Sequence, residues 1–343
     1  MGNFDIANIA LQTICPDNML LFDDKGFPSI AVRVPKATWA ELGVGTSTEP
    51  FPAFTVNGIE VDALYFSKYE NVVQNECAYA YPAQSPAIEI PFNRAADCCL
   101  GKGEGWHIAT RLEQMAVSLW CLKNGLMTKG NVGNAPTGTG MGSLEQSHDR
   151  SKSGIYDLSG NIWEWQGGIR MVYGELQVIS NDGSTFGNDS ADNENSQSET
   201  SALWRAIDGT TGRLIAPVVN GTTPNSLKLD WIGDRWKWIT DTPKYREDRG
   251  VECAFTSIAI DPSVCEKAKN ILQALGLYKA DALGEITDRF IANNGVPEVL
   301  FAAGGSYAQG AYSGLFSVNG SYSRSSAESD LGFRSCYIQS EIF

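Results

Sequence analysis

The ten residues YDLSGNIWEW, at positions 156–165, constrain the fold of this chain more than any other part of its sequence. Their first half is rich in residues that favour tight turns, because Gly and Asn tolerate a left-handed backbone and Asp and Ser hydrogen-bond to nearby backbone groups. The turn residues are Asp157, Ser159, Gly160 and Asn161. Trp163 and Trp165 then bring large apolar rings into a strand. The string therefore predicts a buried turn followed by a core strand.

Two segments carry the spacing and the end signals of helices. In the first, Thr110 is the predicted N-cap, Glu113 completes a capping box, and Asn124-Gly125 stops the helix. In the second, Asp261-Pro262 are predicted as N-cap and first residue, and Gly276 as terminator. The apolar faces comprise Leu112, Met115, Ala116, Leu119 and Leu122, and then Ala268, Ile271, Leu272 and Leu275. Two main helices among short antiparallel strands and long loops indicate an α+β fold.

The organisation along the chain predicts one main domain with an extension and an insert. Residues 1–55 carry β-prone runs at 19–22 and 29–34, separated by Pro, Gly and Asp. They predict a small N-terminal β-rich extension that serves assembly or attachment, ahead of a domain over residues 56–343. Residues 181–200 are polar and acidic with almost no apolar side chains, which predicts an exposed loop. They open a polar insert at about 181–230.

Composition excludes several partners and locations. The formal net charge is −14 and no Lys/Arg cluster offsets it, so nucleic acid and anionic membranes are poor partners. The first residues lack the basic and apolar regions of a signal peptide, and no apolar run is long enough to span a bilayer. The eight cysteines include no CxxC pair. We expect reduced, mostly buried thiols and a protein folded in a cytoplasm.

The C-terminal segment from Ser306 to Asp330 differs in kind from a core strand. Ser, Tyr, Gly and Ala dominate it, with tyrosines at 307, 312 and 322. Tyr gives large contact area at low entropic cost, while Ser and Gly give adaptable hydrogen bonding, as in antibody-like binding surfaces. An ordinary Ser/Gly-rich surface loop with tyrosines capping the core has the same composition. Composition alone leaves both interpretations open.

Three separated motifs carry a resemblance to a known family. The string at 156–165, the ending Gly304-Gly305-Ser306 with Leu331–Arg334, and the earlier Gly105-Trp106-His107 occur in the family's order. They resemble the sulfatase-modifying-factor branch of the C-type lectin fold, which contains the formylglycine-generating enzymes. The resemblance covers roughly residues 60–340. It implies a C-type-lectin-like fold of the formylglycine-generating-enzyme type.

The residues that would carry that family's chemistry are missing. The enzymes use a reactive cysteine pair just after the position of Ser306, where this chain reads YAQGAYSG at 307–314. Cys336 alone is interpreted as a small core residue. The related iron-dependent sulfoxide synthases need a histidine cluster, whereas this chain has only His107 and His148. We therefore predict a protein that is not an enzyme, with a formylglycine-generating-type oxidase as the disfavoured alternative.

A narrower resemblance is to the variable proteins that retroelements diversify in phages and bacteria, which include phage tropism determinants. The similar strings are 105–107, 119–121, 123–125, 154–165, 167–168, 304–306, 314–316 and 332–334. In that group, adenine-directed mutagenesis of a C-terminal repeat rewrites exposed codons while the strand framework stays fixed. The resemblance implies a variable ligand-binding region at about 300–338 of this chain.

The resemblance also implies which residues contact a ligand. The variable contact positions would be Tyr307, Ala308, Tyr312, Ser313, Gly320, Ser321, Tyr322, Ser325, Ala327 and Asp330. The scaffold would comprise Leu315, Phe316, Val318, Leu331, Phe333 and Arg334, with Arg334 in an ion pair or bonded to carbonyls. Gln309 and Glu328 do not arise from an AAC codon by adenine changes alone, so they are left out of the variable set.

The function implied is that of a ligand- or receptor-binding protein. Its partner would be a cell-surface protein or glycan, with no nucleic acid and no membrane insertion, and a homotrimer through the N-terminal region would supply avidity. A phage virion, in association with a tail fibre, is the first expected location, and a bacterial cytoplasmic or Sec-independent exported protein the second. No cofactor is expected. A third hypothesis is a calcium-dependent sugar-binding module with Asn161 and Glu164 as oxygen ligands.

Overall fold

The computed structural model describes residues 3–191, 197–219 and 221–339. Its helices are α1 (Asn3–Ile14), α2 (Phe92–Leu100), α3 (Arg111–Lys123) and α4 (Glu266–Ala274). Its strands are β1 (Asn18–Phe22), β2 (Pro28–Pro35), β3 (Thr55–Val56), β4 (Ile59–Glu60), β5 (Ala63–Ser67), β6 (Val72–Gln74), β7 (Cys77–Tyr79), β8 (Trp106–Ile108), β9 (Trp163–Val172), β10 (Glu175–Ile179), β11 (Trp204–Ile207), β12 (Leu214–Ile215), β13 (Lys228–Ile232), β14 (Arg235–Ile239), β15 (Val251–Ala254), β16 (Ala259–Ile260), β17 (Arg289–Ala292), β18 (Val299–Ala303), β19 (Val318–Tyr322), β20 (Leu331–Gly332) and β21 (Ser335–Tyr337). Few helices and many antiparallel strands make this a mixed α+β fold.

Helix α3 has the predicted start and the predicted capping box. The Thr110 hydroxyl accepts from the Glu113 backbone N–H at 3.2 Å, and the Glu113 carboxylate accepts from the Thr110 N–H at 2.8 Å. These bonds satisfy donors that the first turn of a helix leaves without a partner. All five of the predicted apolar positions on α3 lie in or against the main hydrophobic core.

Helix α4 begins four residues later than predicted, so the prediction of Asp261-Pro262 as N-cap and first residue was wrong. The N-cap is Cys265, because tertiary and turn contacts occupy Asp261 instead. One Asp261 oxygen pairs with Lys237 at 2.7 Å and the other accepts from the Ser263 N–H at 3.0 Å. The predicted apolar face is buried, and Gly276 follows the helix with a φ of +55°.

The sequence did not predict helices α1 and α2. Helix α2 has no side-chain N-cap, since Pro91 stands at that position. Helix α1 lies within the predicted β-rich extension, where the two predicted runs form β1 and β2. Strand β2 pairs with β5 in the sheet ordered β1-β2-β5-β21-β8. The extension is therefore continuous with a sheet that also contains the strand β21 near the C-terminus.

A second, 12-stranded sheet supports the C-terminal segment. Its main path is β15-β17-β19-β18-β9-β10-β13-β14-β16. Strand β9, which follows the 156–165 turn, pairs antiparallel with β10 and β18 and parallel with β20. Residues 299–337 contribute strands to both sheets, since β18, β19 and β20 belong to this sheet and β21 to the other.

The polar stretch at 181–200 is only partly exposed, which corrects the prediction of an exposed loop. Asn188 and Asp189 are each 1% exposed and Ala191 is fully buried. They are buried because Asp189 accepts from the backbone N–H groups of Asn57 and Asn181. Residues 192–196, within the same prediction, lie outside the described residues. Farther along the insert, β11 and β12 extend the large sheet.

All eight cysteines lie among the described residues and are free thiols, seven of them buried. This agrees with the prediction of reduced, mostly buried thiols. Among the helices of the described ranges, none combines the length and the apolar content needed to cross a bilayer.

Candidate ligand-binding surface

The turn at 156–165 forms the base on which the C-terminal segment rests. Its backbone is left-handed at Asp157 (φ +63°), Gly160 (φ +74°) and Asn161 (φ +58°), as the turn residues predict. A Cβ at Gly160 would lie 2.5 Å from the Asn131 carbonyl oxygen, so the approach of that loop requires glycine. The Tyr307 N–H donates to the Asn161 carbonyl at 3.0 Å. The predicted turn is confirmed, and it holds the start of the C-terminal segment.

A fully buried ion pair lies under the segment. Arg334 Nη2 lies 2.6 Å from Glu164 Oε1, and Arg334 Nε lies 2.9 Å from Oε2. Two further guanidinium N–H groups, on Nη1 and Nη2, donate to the carbonyls of Ser67 and Tyr156. Burial opposes the charged form of Arg334, but the Glu164 carboxylate raises its pKa above the ordinary value. Arg334 thus makes both the ion pair and the carbonyl bonds predicted for it.

Two further carboxyl groups lie near this pair. Burial raises the pKa of Asp157 to about 6, although the Gly140 N–H donates to it at 2.9 Å. Burial also raises the pKa of Glu70 well above its ordinary value. Asn161 Nδ2 donates to Glu70 Oε2 at 2.5 Å. One guanidinium therefore serves three buried acids, which favours protonation of those it does not touch.

The hypothesis of calcium ligation by Asn161 and Glu164 does not fit these contacts. Asn161 Oδ1 accepts from Asn131 Nδ2 at 3.0 Å and from the Thr137 N–H at 2.8 Å. Both carboxylate oxygens of Glu164 accept from Arg334. A Ca²⁺ ion needs six to eight oxygen ligands, roughly, at about 2.4 Å, and these oxygens are already bonded within the protein.

The segment itself begins with a short 3-10 helix over Tyr307–Tyr312 that is kinked at Gly310, where the backbone leaves the helical region with a φ of +55°. Ser306 is its N-cap: its Oγ accepts from the Ala308 N–H at 3.2 Å, while Gln309 Oε1 accepts from the Ser306 N–H at 3.1 Å. Ser306 Oγ also lies 2.6 Å from Asp330 Oδ2. This contact joins the 3-10 helix to the loop that follows β19. We call residues 307–313 and 321–330 together the C-terminal surface.

The structure distributes the ten predicted contact positions over three levels of exposure. Ala308, Tyr312, Ser325 and Ala327 are exposed; Tyr307, Ser313, Ser321, Tyr322 and Asp330 are half-buried; Gly320 is buried. The predicted scaffold residues Leu315, Phe316, Val318, Leu331, Phe333 and Arg334 are at most 1% exposed. Nine of the ten positions thus belong to the C-terminal surface, and the scaffold lies beneath it.

Gly320 is the position that departs from its predicted role. It lies within β19, where a Cβ would come 2.6 Å from the ring of Phe301 on the neighbouring strand β18. A side chain at 320 would point at that ring. Gly320 therefore supports the surface from below and presents nothing to a ligand.

Tyr322 and Asp330 combine surface and structural contacts. The Tyr322 ring packs edge-on against Trp165 with centroids 5.6 Å apart, and burial raises the pKa of its hydroxyl. Asp330 accepts from Ser306, and its carbonyl accepts from the Trp163 N–H at 2.7 Å. These two side chains hold the edges of the surface, while Tyr312, which is 45% exposed, extends from it.

Two arginines, Arg324 within the surface and Arg289 beside it, were missed from the sequence. The Arg289 guanidinium lies 4.1 Å from the centroid of the Tyr312 ring, a cation–π distance. Arg324 binds Glu298 through Nε and Nη2, and Asn93 through Nη1 at 3.1 Å. The one available signal was Arg324 itself, the single basic residue in the Ser-rich run at 321–330.

Sequence comparisons return no relatives: no protein-family model matches this chain, and no curated protein does. Among solved structures, the chain is similar to one titled Major Tropism Determinant I1 Variant, at 12% sequence identity and a TM-score of 0.32. The similarity covers 84% of this chain and 53% of that one. The chain thus spans about half the length of that structure.

Proposed function

We propose that this chain is a ligand- or receptor-binding protein that uses its C-terminal surface on a C-type-lectin-like scaffold of the formylglycine-generating-enzyme type. The observation that carries the proposal is how the surface is held. The Glu89 N–H donates to the Glu328 carbonyl at 3.1 Å, and the Phe92 N–H donates to the Arg324 carbonyl at 3.2 Å. Because backbone groups make these bonds, exposed side chains can change without loss of the fold.

Diversification of this surface by a retroelement is the second part of the proposal. The exposed positions of the predicted set, Ala308, Tyr312, Ser325 and Ala327, carry residues that adenine mutagenesis of an Asn codon reaches. Gln309, which was left out of that range, has a structural bond to Ser306. The variable set proposed is therefore the predicted one without Gly320.

We propose that the partner is a cell-surface protein or glycan. The chain would bind it either as part of a phage virion or as a bacterial protein. Small Tyr-rich surfaces give modest affinity, so several copies acting together would supply avidity. Helix α1 offers an attachment surface, since Ile6, Ile9 and Ile14 are all more than half exposed. We propose that the N-terminal region assembles copies of the chain or attaches them to a particle.

The test of diversification is genomic. We expect a near-identical copy of the segment coding for residues 300–338 beside a reverse transcriptase gene, with differences confined to adenines. Deep sequencing of a growing culture should place amino-acid changes at exposed positions such as 308, 312 and 325, and none at 315, 316 or 334. Variation spread evenly over codons 300–338, or absence of the repeat, would contradict diversification.

The binding test uses the full chain, labelled and applied to a glycan array and to a panel of bacterial strains. Tyr312→Ala should weaken binding to the best target roughly tenfold or more, as for an exposed aromatic at an interface. Trp120→Ala is the matched control, because Trp120 is 37% exposed on helix α3, outside the C-terminal surface. Equal losses from both changes would contradict a binding role for this surface.

We further propose that the chain has no oxidase activity of the formylglycine-generating type. Cys336 is fully buried, and burial raises the pKa of its thiol well above the ordinary value. Such a thiol is a poor nucleophile. Incubation with a cysteine-containing sulfatase peptide, copper and oxygen should produce no aldehyde.

A further inference from the structure

Three buried side chains with metal-ligating atoms meet where β8, the start of α3 and β21 come together. They are His107, Glu113 and Cys336, and their ligand atoms all lie within 4.8 Å of one another. His107 is 2% exposed, and the Glu113 and Cys336 side chains are fully buried. This cluster lies outside the C-terminal surface and has no part in the proposed binding function.

Strand pairing holds His107 and Cys336 in place, and a helix cap holds Glu113. Cys336 on β21 stands opposite His107 on β8 in the antiparallel register. Glu113 is held by the capping box of α3, in which its Oε2 accepts from the Thr110 N–H at 2.8 Å. Its other oxygen, Oε1, lies 2.8 Å from His107 Nε2. The backbone positions of the three residues are thus fixed before any ion binds, which lowers the entropic cost of binding.

The histidine ring has the orientation of a metal ligand. His107 Nδ1 lies 3.0 Å from the Gly105 carbonyl oxygen, which can only accept, so Nδ1 carries a proton. A histidine that ligates a metal through one nitrogen commonly donates its other N–H to a carbonyl in this way. Nε2 then faces Glu113 Oε1 at 2.8 Å. Two acceptors this close need a proton or a cation between them.

The separations suit a small divalent ion. Ligand atoms at about 2.0–2.3 Å from a tetrahedral Zn²⁺ ion lie roughly 3.3–3.8 Å from one another. The present separations extend from 2.8 Å, between Nε2 and Oε1, to no more than 4.8 Å. Small side-chain rotations close this difference.

A cavity reaches the edge of the cluster at His107. Its volume is about 250 Å³, and His107 and Ile108 line one side of it while Phe92, Ala96 and Leu100 of α2 line another. The cavity is much larger than one water molecule, which occupies roughly 30 Å³ in the liquid. An ion can therefore reach His107, and a water or a donor atom of a ligand can complete its coordination.

We propose that His107, Glu113 and Cys336 form a zinc-binding site with three protein ligands. Imidazole, carboxylate and thiolate together suit Zn²⁺, whereas Ca²⁺ and Mg²⁺ prefer oxygen ligands alone. The site joins β8, α3 and β21, so bound zinc stabilises the sheet that carries the end of the chain.

The test titrates the full chain, freed of metal by a chelator, with Zn²⁺ and with Co²⁺. One equivalent of each should bind, Zn²⁺ should raise Tm, and Co²⁺ should give a near-ultraviolet thiolate-to-cobalt charge-transfer band. Cys336→Ser should abolish the band and weaken zinc binding by roughly tenfold to a hundredfold or more. Cys121→Ser is the matched control, since Cys121 is buried elsewhere and bonds to the His148 carbonyl. It should keep the band.

A second variant guards against a failure of Cys336→Ser to fold. Glu113→Gln keeps a side-chain oxygen for the Thr110 N–H and so preserves the helix cap. We expect an unchanged far-ultraviolet circular dichroism spectrum and at least a tenfold weaker affinity for zinc. Absence of stoichiometric zinc binding, or a cobalt band that survives in Cys336→Ser, would overturn the site. Neither result bears on the C-terminal surface.

Discussion

The C-terminal surface and the framework beneath it satisfy their polar groups in opposite ways. In the framework, buried side chains make the hydrogen bonds. Both Glu164 oxygens and three guanidinium nitrogens of Arg334 are bonded without contact with water. At the surface, backbone bonds hold the loop on which the exposed residues Ser325 and Ala327 lie, although half-buried residues such as Arg324 and Asp330 also make side-chain bonds. The framework therefore depends on residue identity, whereas the exposed positions of the surface depend mainly on the path of the backbone.

The largest effect expected from this difference is at Arg334. Arg334→Ala leaves the buried Glu164 carboxyl without its bidentate partner, which costs about 3–5 kcal/mol of unfolding free energy. Guanidinium chloride denaturation measures it. Arg94→Ala is the matched control, because Arg94 and its partner Glu76 are exposed, and such pairs contribute about 0–1 kcal/mol. Comparable losses in the two variants would contradict the comparison.

A second effect concerns Asp288, a carboxyl group beneath the surface. Its Oδ2 accepts from the Phe316 N–H at 2.8 Å, and burial raises its pKa to about 6. The folded protein therefore binds this proton more tightly than the unfolded chain. The stability that it contributes is complete below pH 4, roughly, and is lost as the pH rises through about 6.

Asp288→Asn removes this dependence on pH, because the amide cannot ionise and its oxygen can still accept from Phe316. At pH 7.5 the variant should be more stable than the parent by about 1–3 kcal/mol, at 1.36 kcal/mol per pKa unit. Near pH 4 most of the difference should vanish. Unfolding of the variant and the parent at both pH values measures this difference in stability. The contributions of all other carboxyl groups cancel, because both proteins contain them. A pH-independent difference would mean that Asp288 is not the titrating group.

Features set by local sequence could be predicted. The capping box of α3 and the left-handed turn at 157–161 follow from neighbouring residue types, and both are present. In each case, the residues that form the feature lie within a few positions of one another.

Features set by distant residues could not be predicted. Asp261 does not cap α4 because Lys237, from β14, pairs with it. Residues 187–191 are buried because the Thr55 carbonyl and the Thr110 hydroxyl bond Asn188. The cluster of His107, Glu113 and Cys336 likewise requires strands β8 and β21 to be paired. None of these partners is visible in the local pattern.

Gly320 tests the boundary between the two regions. Glycine is a residue type typical of the C-terminal segment, but residue 320 is buried like the residues of the framework. Gly320→Ser places a Cβ 2.6 Å from the Phe301 ring, so the ring must move, at a cost of about 1–3 kcal/mol for overpacking. Ala327→Ser is the control and should change the unfolding free energy by less than about 0.5 kcal/mol. Thermal unfolding of both variants measures the difference. If Gly320→Ser were as neutral as Ala327→Ser, Phe301 would yield freely, and position 320 would return to the variable set.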